Sequence, residues 1–155
     1  MLHILLTSTL AMVTAAGSAD TASRLLVPTD YEAGHFYAAG TTLGGETLRL
    51  LVDSGGAGGS GLYVIDAEAA SRLGLKTSRC TLGAERFDVV TSIPFATGKG
   101  WPKSADTPCT ATATIVPGIG EATRADGIIG AGYLPRHIWT FDYPARKLWL
   151  EPADW

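Results

Sequence analysis

The chain has 155 residues, 46% of them hydrophobic and 17% charged, a balance that fits one compact domain and excludes intrinsic disorder. A net charge of −3 leaves no basic footprint for nucleic acid. Glycine is abundant, at 19 residues, which favours turns and hairpins over long helices.

In chain order, Ile4 to Val13 form a short apolar run, and the small residues Ala15-Ala16-Gly17-Ser18-Ala19 follow it. About ten residues are too few to cross a bilayer but match the core of a signal peptide. Residues 1–19 are therefore expected to direct export to the periplasm or outside the cell. The front end offers His3 and neither Lys nor Arg, so an apolar first strand or a frayed terminus is the competing expectation. No later segment is long and apolar enough to span a membrane. Residues 20–33 are expected to be a linker or N-terminal arm, with Pro28 as a local breaker, and 34–155 a single domain.

His35 to Ala39 is the first expected strand, Gly44-Gly45 marks a hairpin, and Thr47 to Val52 is the return strand. Gly55 to Gly61 is too glycine-rich for anything but a loop, and Leu62 to Ile65 resumes as a strand. Asp66 is placed to cap a helix of about two turns, because its carboxylate can accept from the exposed amides of a first turn. Gly74 is placed to end that helix in a left-handed conformation. Strands are expected at Arg86 to Ile93 and Thr110 to Ile115, with a long loop or hairpin from Ala96 to Pro108 between them. Gly127-Ile128-Ile129-Gly130 reads as a buried strand, and Ile138 to Leu150 as a hairpin turning at Tyr143-Pro144-Ala145-Arg146.

Leu50-Leu51-Val52-Asp53-Ser54-Gly55 carries the chemistry. An apolar strand delivers one carboxylate into a turn of small residues. A carboxylate there is costly to desolvate unless paired or hydrogen-bonded, so Asp53 is the candidate catalytic group.

Leu51-Val52-Asp53-Ser54-Gly55 resembles the apolar-apolar-Asp-Thr/Ser-Gly motif of the retropepsin-like single-domain aspartic proteases, in particular their exported bacterial members. Ala69 to Leu75 is similar to the short helix that follows the motif in many bacterial relatives. Asp126-Gly127-Ile128-Ile129-Gly130, then Phe141 to Pro144 and Lys147 to Leu150, resemble the second apolar-apolar-Gly element and closing hairpin. The resemblance covers roughly 34–151. It implies a mainly β fold, a small closed barrel of half-pepsin type with one short helix. It implies an aspartic endopeptidase in which a water is activated between two Asp53 carboxylates of a homodimer, because the chain supplies one such motif. Ser54 is then expected to brace the active-site turns, Gly55 to bring its amide to the carboxylate, and Ile128, Ile129 and Gly130 to pack beneath the Asp53 loop. Asp126 is a rival second carboxylate, with a structural role as the favoured expectation. Gly98, Lys99, Gly100 and Trp101 are the candidate substrate flap, against the plainer expectation of a surface loop with a packed Trp. After Gly55 the family continues with Ala; here the run is Gly56 to Gly61, in which Ser60 is a candidate for the family's small hydroxyl position.

Cys80 and Cys109 are the sole cysteines. In an exported chain an even pair points to one disulfide, closing a loop of about 30 residues; two buried thiols are the alternative. Asp and Glu are scattered without metal-ligand spacing, so neither metal nor cofactor is expected. His35 and His137 lack an evident nucleophile partner, and the glycine loop lacks the Lys-Ser/Thr ending of a P-loop. The expected partners are a peptide or protein substrate and a second copy of the chain. A non-catalytic peptide-binding or interaction module on the same barrel is the alternative function.

Overall fold

A computed structural model describes residues 24–56, 63–96, 107 and 109–151. The expected export signal, Ser60 and the candidate flap lie outside the described residues. The fold is mainly β with a few short helices. In order the elements are β1 (Leu25–Val27), β2 (Thr29–Glu32), β3 (His35–Thr41), β4 (Thr47–Val52), β5 (Tyr63–Asp66), α1 (Ala67–Arg72), β6 (Thr77–Leu82), β7 (Glu85–Val90), β8 (Ala113–Val116), α2 (Ile119–Thr123), β9 (Gly127–Ile129), a 3-10 turn (Leu134–Arg136), β10 (Ile138–Asp142) and β11 (Lys147–Glu151). Among the described residues no helix is long and apolar enough to cross a membrane.

Two sheets form. The smaller has the order β1-β11-β10, and the larger β2-β3-β4-β9-β5-β8-β7-β6. The segment expected as a linker or arm instead holds β1 and β2. Pro28 does not end the extended chain there but marks where it passes from the smaller sheet to the larger, and its carbonyl accepts from the Ala39 N–H at 2.8 Å. The described strands do not close into a ring, as the expected barrel would: β2 and β6 are the two ends of the larger sheet. The sheet does curl. A single antiparallel bridge, Thr42 to Phe95, draws the segment after β7 onto the end of β3, with Leu43 N–H donating to the Pro94 carbonyl at 2.7 Å.

The placement of β9 decides what the rest of the fold can present. It lies between β4 and β5, parallel to the first (Val52 opposite Ile129) and antiparallel to the second (Tyr63 opposite Ile129). Both faces of β4 are covered: Leu48, Leu50 and Val52 join the main core, while Leu51 packs with Tyr37 and Ala125 on the other side. This is why Leu50-Leu51-Val52 is an unbroken apolar run rather than an alternating one. Gly127 admits the close approach of β9 to β5, since a Cβ there would drive into the Val64 carbonyl oxygen and lie 3.2 Å from both the Ile65 Cα and the Leu50 side chain.

Helix α1 starts as its sequence predicts. Asp66 is extended and its Oδ1 accepts from the Glu68 N–H at 2.8 Å. Gly74, at φ 59°, turns the chain out of the helix. The expectation of one short helix is corrected by α2, whose start follows Gly118 at φ 83°. The second carboxylate oxygen of Asp66 accepts from the Gly120 N–H at 3.2 Å and secures this second helix beside the first.

Candidate active site

Asp53 stands at the C-terminal end of β4. Its N–H donates to the Ile129 carbonyl at 2.9 Å, so the strand pairing continues up to the residue itself. The chain then turns. Oδ1 of Asp53 accepts from the Gly55 N–H at 2.9 Å, and the Asp53 carbonyl accepts from the Gly56 N–H at 3.1 Å. The Gly56 carbonyl in turn accepts from the Ala131 N–H at 2.8 Å. The turn is thus held on both sides by the end of β9 and the residues after it, while the carboxylate and Ser54 remain exposed. Ile129 is fully buried beneath, Gly130 is buried and Ile128 half-buried. The Gly130 carbonyl accepts from both Tyr133 and Leu134 N–H at 2.9 Å, which fixes the chain beyond β9.

The Gly55 amide meets the carboxylate as expected, but the residue whose missing Cβ matters is its neighbour. A Cβ on Gly55 would lie 3.6 Å from Asp53 Oδ1, an ordinary contact. A Cβ on Gly56 would lie 2.7 Å from Oδ2 and 3.1 Å from Cγ, so the exposed carboxylate would have to swing aside to admit it. Sequence reasoning missed this because the motif ends at Gly55.

Asp126 is not brought to Asp53. It precedes β9 at the opposite end of the strand, level with Arg49 and so four residues along β4 from Asp53, roughly 13 Å away. Its Oδ2 accepts from the Arg49 N–H at 2.8 Å and its Oδ1 from the Arg72 guanidinium at 2.8 Å. Arg72 also pairs with Glu46, while the Arg49 guanidinium binds Glu32 at 2.6 Å and lies over the Tyr37 ring, 3.5 Å from its centroid. These contacts clasp β2, β4, α1 and the start of β9 at the end of the sheet away from the candidate site. The two acidic hydrogen-bond partners raise the Arg72 pKa from its usual value, so it stays a cation at any working pH.

Below the Asp53 turn the core is aromatic. Tyr63 and Tyr133 are buried with ring centroids 5.3 Å apart, and Trp139 meets Tyr133 edge-on at 5.5 Å. Burial raises the Tyr63 phenol well above its ordinary value, with Tyr133 adding to it, and burial raises Tyr133 likewise. Both stay neutral, so the floor brings no competing anion to Asp53.

Cys80 on β6 and Cys109 are disulfide-bonded, with Cα atoms 5.9 Å apart, and no other cysteine is present. Among the described residues no three His, Cys, Asp or Glu side chains converge as a metal site would need. Comparison with models of known families, with curated proteins and with solved structures finds no match to this chain.

Proposed function

We propose that this chain is an aspartic endopeptidase of retropepsin-like type, active as a homodimer in which two copies of Asp53 face each other across a twofold axis. The observation that carries the reading is an exposed carboxylate on a turn held by backbone hydrogen bonds on both flanks, seated over the buried Ile129-Gly130 step. Proteins use carboxylates held this way as chemistry-bearing groups, because a fixed acid needs no reorganisation when it acts.

One carboxylate cannot serve as base and acid at once. Two about 3 Å apart cannot both ionise, so they share a proton: the ionised one takes a proton from the attacking water, and the protonated one polarises the scissile carbonyl. A symmetric dimer supplies the second copy at no further cost in sequence. The curl of the larger sheet and the Thr42–Phe95 bridge support a small barrel of half-pepsin type. The Cys80–Cys109 bond supports export, since disulfides persist in oxidising compartments.

The test is cleavage of a peptide library across pH by wild type and Asp53→Asn. The expected result is wild-type cleavage that is inhibited by statine-type transition-state mimics and absent in Asp53→Asn, with unchanged far-UV circular dichroism. Cleavage surviving in the variant removes Asp53 from the mechanism. An inert wild type that binds extended peptides as a monomer would make the chain a peptide-binding module instead.

A further inference from the structure

We propose that the Cys80–Cys109 bond is a redox-operated stop on strand β8: oxidised, it holds residues 109–112 folded back across the sheet, and reduced, it releases them into the longer strand that their sequence specifies. The device is independent of any proteolytic activity. Thr110-Ala111-Thr112-Ala113-Thr114-Ile115 alternates as one strand, yet β8 begins only at Ala113. Thr110 instead sits at φ 51°, left-handed backbone that a β-branched residue adopts only when its surroundings impose it.

The strand register shows what imposes it. Ser78 on β6, Val89 on β7 and Thr114 on β8 lie level across the sheet, with β6 and β8 running the same way. Cys80 is two residues beyond that row, and Cys109 is five residues short of it. Were β8 to run straight on from Cys109, the two cysteines would stand seven residues apart along the strand direction, roughly 23 Å. Their Cα atoms are 5.9 Å apart. The bond and the extended strand therefore exclude each other.

Few groups have to change partners between the two states. In the folded-back state the Thr107 hydroxyl accepts from the Ala111 N–H at 2.7 Å and donates to the Ala111 carbonyl at 2.9 Å, and the Thr110 N–H donates to the Thr107 carbonyl at 3.0 Å. Thr112 is already in the ladder. Its N–H donates to the Val90 carbonyl at 2.8 Å and its carbonyl accepts from the Tyr63 N–H at 3.1 Å, so lengthening β8 turns only Thr110 and Ala111. Both cysteines are half-exposed, which lets a dithiol reach the bond. One thiolate of the dithiol attacks a sulfur of the pair and forms a mixed disulfide, and its second thiol then closes the reductant's own disulfide. Two electrons and two protons pass to Cys80 and Cys109, which end as thiols. Because β8 is parallel to β5, with Ala113 opposite Tyr63, it lengthens on the side from which the chain enters β5 after the Asp53 turn.

The experiment compares Thr110→Gly with wild type, each oxidised and each reduced with dithiothreitol. Glycine relieves a left-handed position and weakens a strand. The variant is therefore expected to raise the melting midpoint by about 2 °C in the oxidised protein and to lower it by about 3 °C in the reduced protein. By linkage, its disulfide should be about tenfold harder to reduce than that of wild type in a dithiothreitol titration. A shift of the same sign in both states, or an unchanged reduction equilibrium, overturns the proposal. The second readout is the Cα and Cβ chemical shifts of Thr110 by NMR, which are expected to move to strand values on reduction and in the double variant Cys80→Ser/Cys109→Ser. Turn values that persist in both overturn the proposal. Unfolding of the reduced chain at room temperature overturns it too, since the bond would then be a staple of the fold and nothing more.

Discussion

Asp66 shows how a single side chain can do two structural tasks. It is 5% exposed, and it accepts from Glu68 at the start of α1 and from Gly120 at the start of α2. Burial alone would raise its carboxyl, but backbone N–H donors from Glu68, Gly120, Ile119 and Ala69 reverse this and hold it below the usual carboxylate value. A lowered folded pKa means the carboxylate stabilises the fold above the ordinary value of about 4 and that this contribution is lost as pH falls through the folded value. Asp66→Ala is expected to cost about 1 kcal/mol at pH 7, measured by urea unfolding. The gap between variant and wild type should narrow as the pH is lowered below about 4. The cap on α1 was legible in the sequence, because Asp before Ala67-Glu68-Ala69-Ala70 is a local signal. The bond to Gly120 was not, because it joins residues far apart in the chain.

At the scale of elements, β9 is the piece that cannot be altered. Gly127→Ala would press a methyl into the Val64 carbonyl and the Leu50 side chain, and is expected to cost about 3 kcal/mol or more or to prevent folding, read as loss of a cooperative urea transition. The disulfide acts on the outer hairpin, joining β6 to Cys109 at a sequence separation of 29. Replacing both cysteines by Ser is expected to lower the melting midpoint by roughly 10 °C on the chain-entropy account, measured against the oxidised wild type.

Elements with local signatures were readable in advance: β4 spans the expected Thr47–Val52, and the closing hairpin turns at Tyr143 to Arg146. Those that depend on distant partners were not. The strand β2, Thr-Asp-Tyr-Glu, is half exposed at a sheet end, and it joins β3 through Ala33-Gly34, both at positive φ, where Ala is not a residue that announces a turn. Strand β6 is mostly exposed and gave no apolar pattern. Strand β8 begins at Ala113 rather than Thr110, which sits at φ 51°, and the Thr112 hydroxyl is spent on the Thr91 carbonyl. At the candidate site the position of Asp53 followed from sequence, whereas its seat on Gly56 is a contact between side chain and backbone that no motif encodes.

For the whole molecule, the proposed chemistry is a property of two chains. One copy carries one exposed Asp53, and Asp126 is engaged by Arg49 and Arg72 at the other end of β9. Specific activity should therefore rise with protein concentration through the dimerisation range, tracked by sedimentation velocity on the same samples. Constant specific activity for a strict monomer would contradict a shared site. The placement of β9 also has a consequence for biosynthesis. Ribosomal synthesis delivers Asp53 long before Ile129 and Ala131, whose backbone groups steady its turn, so an emerging chain holds an acid without its scaffold. Any hydrolytic capacity would therefore wait until the chain has been made through Ala131 and β9 has paired beside β4.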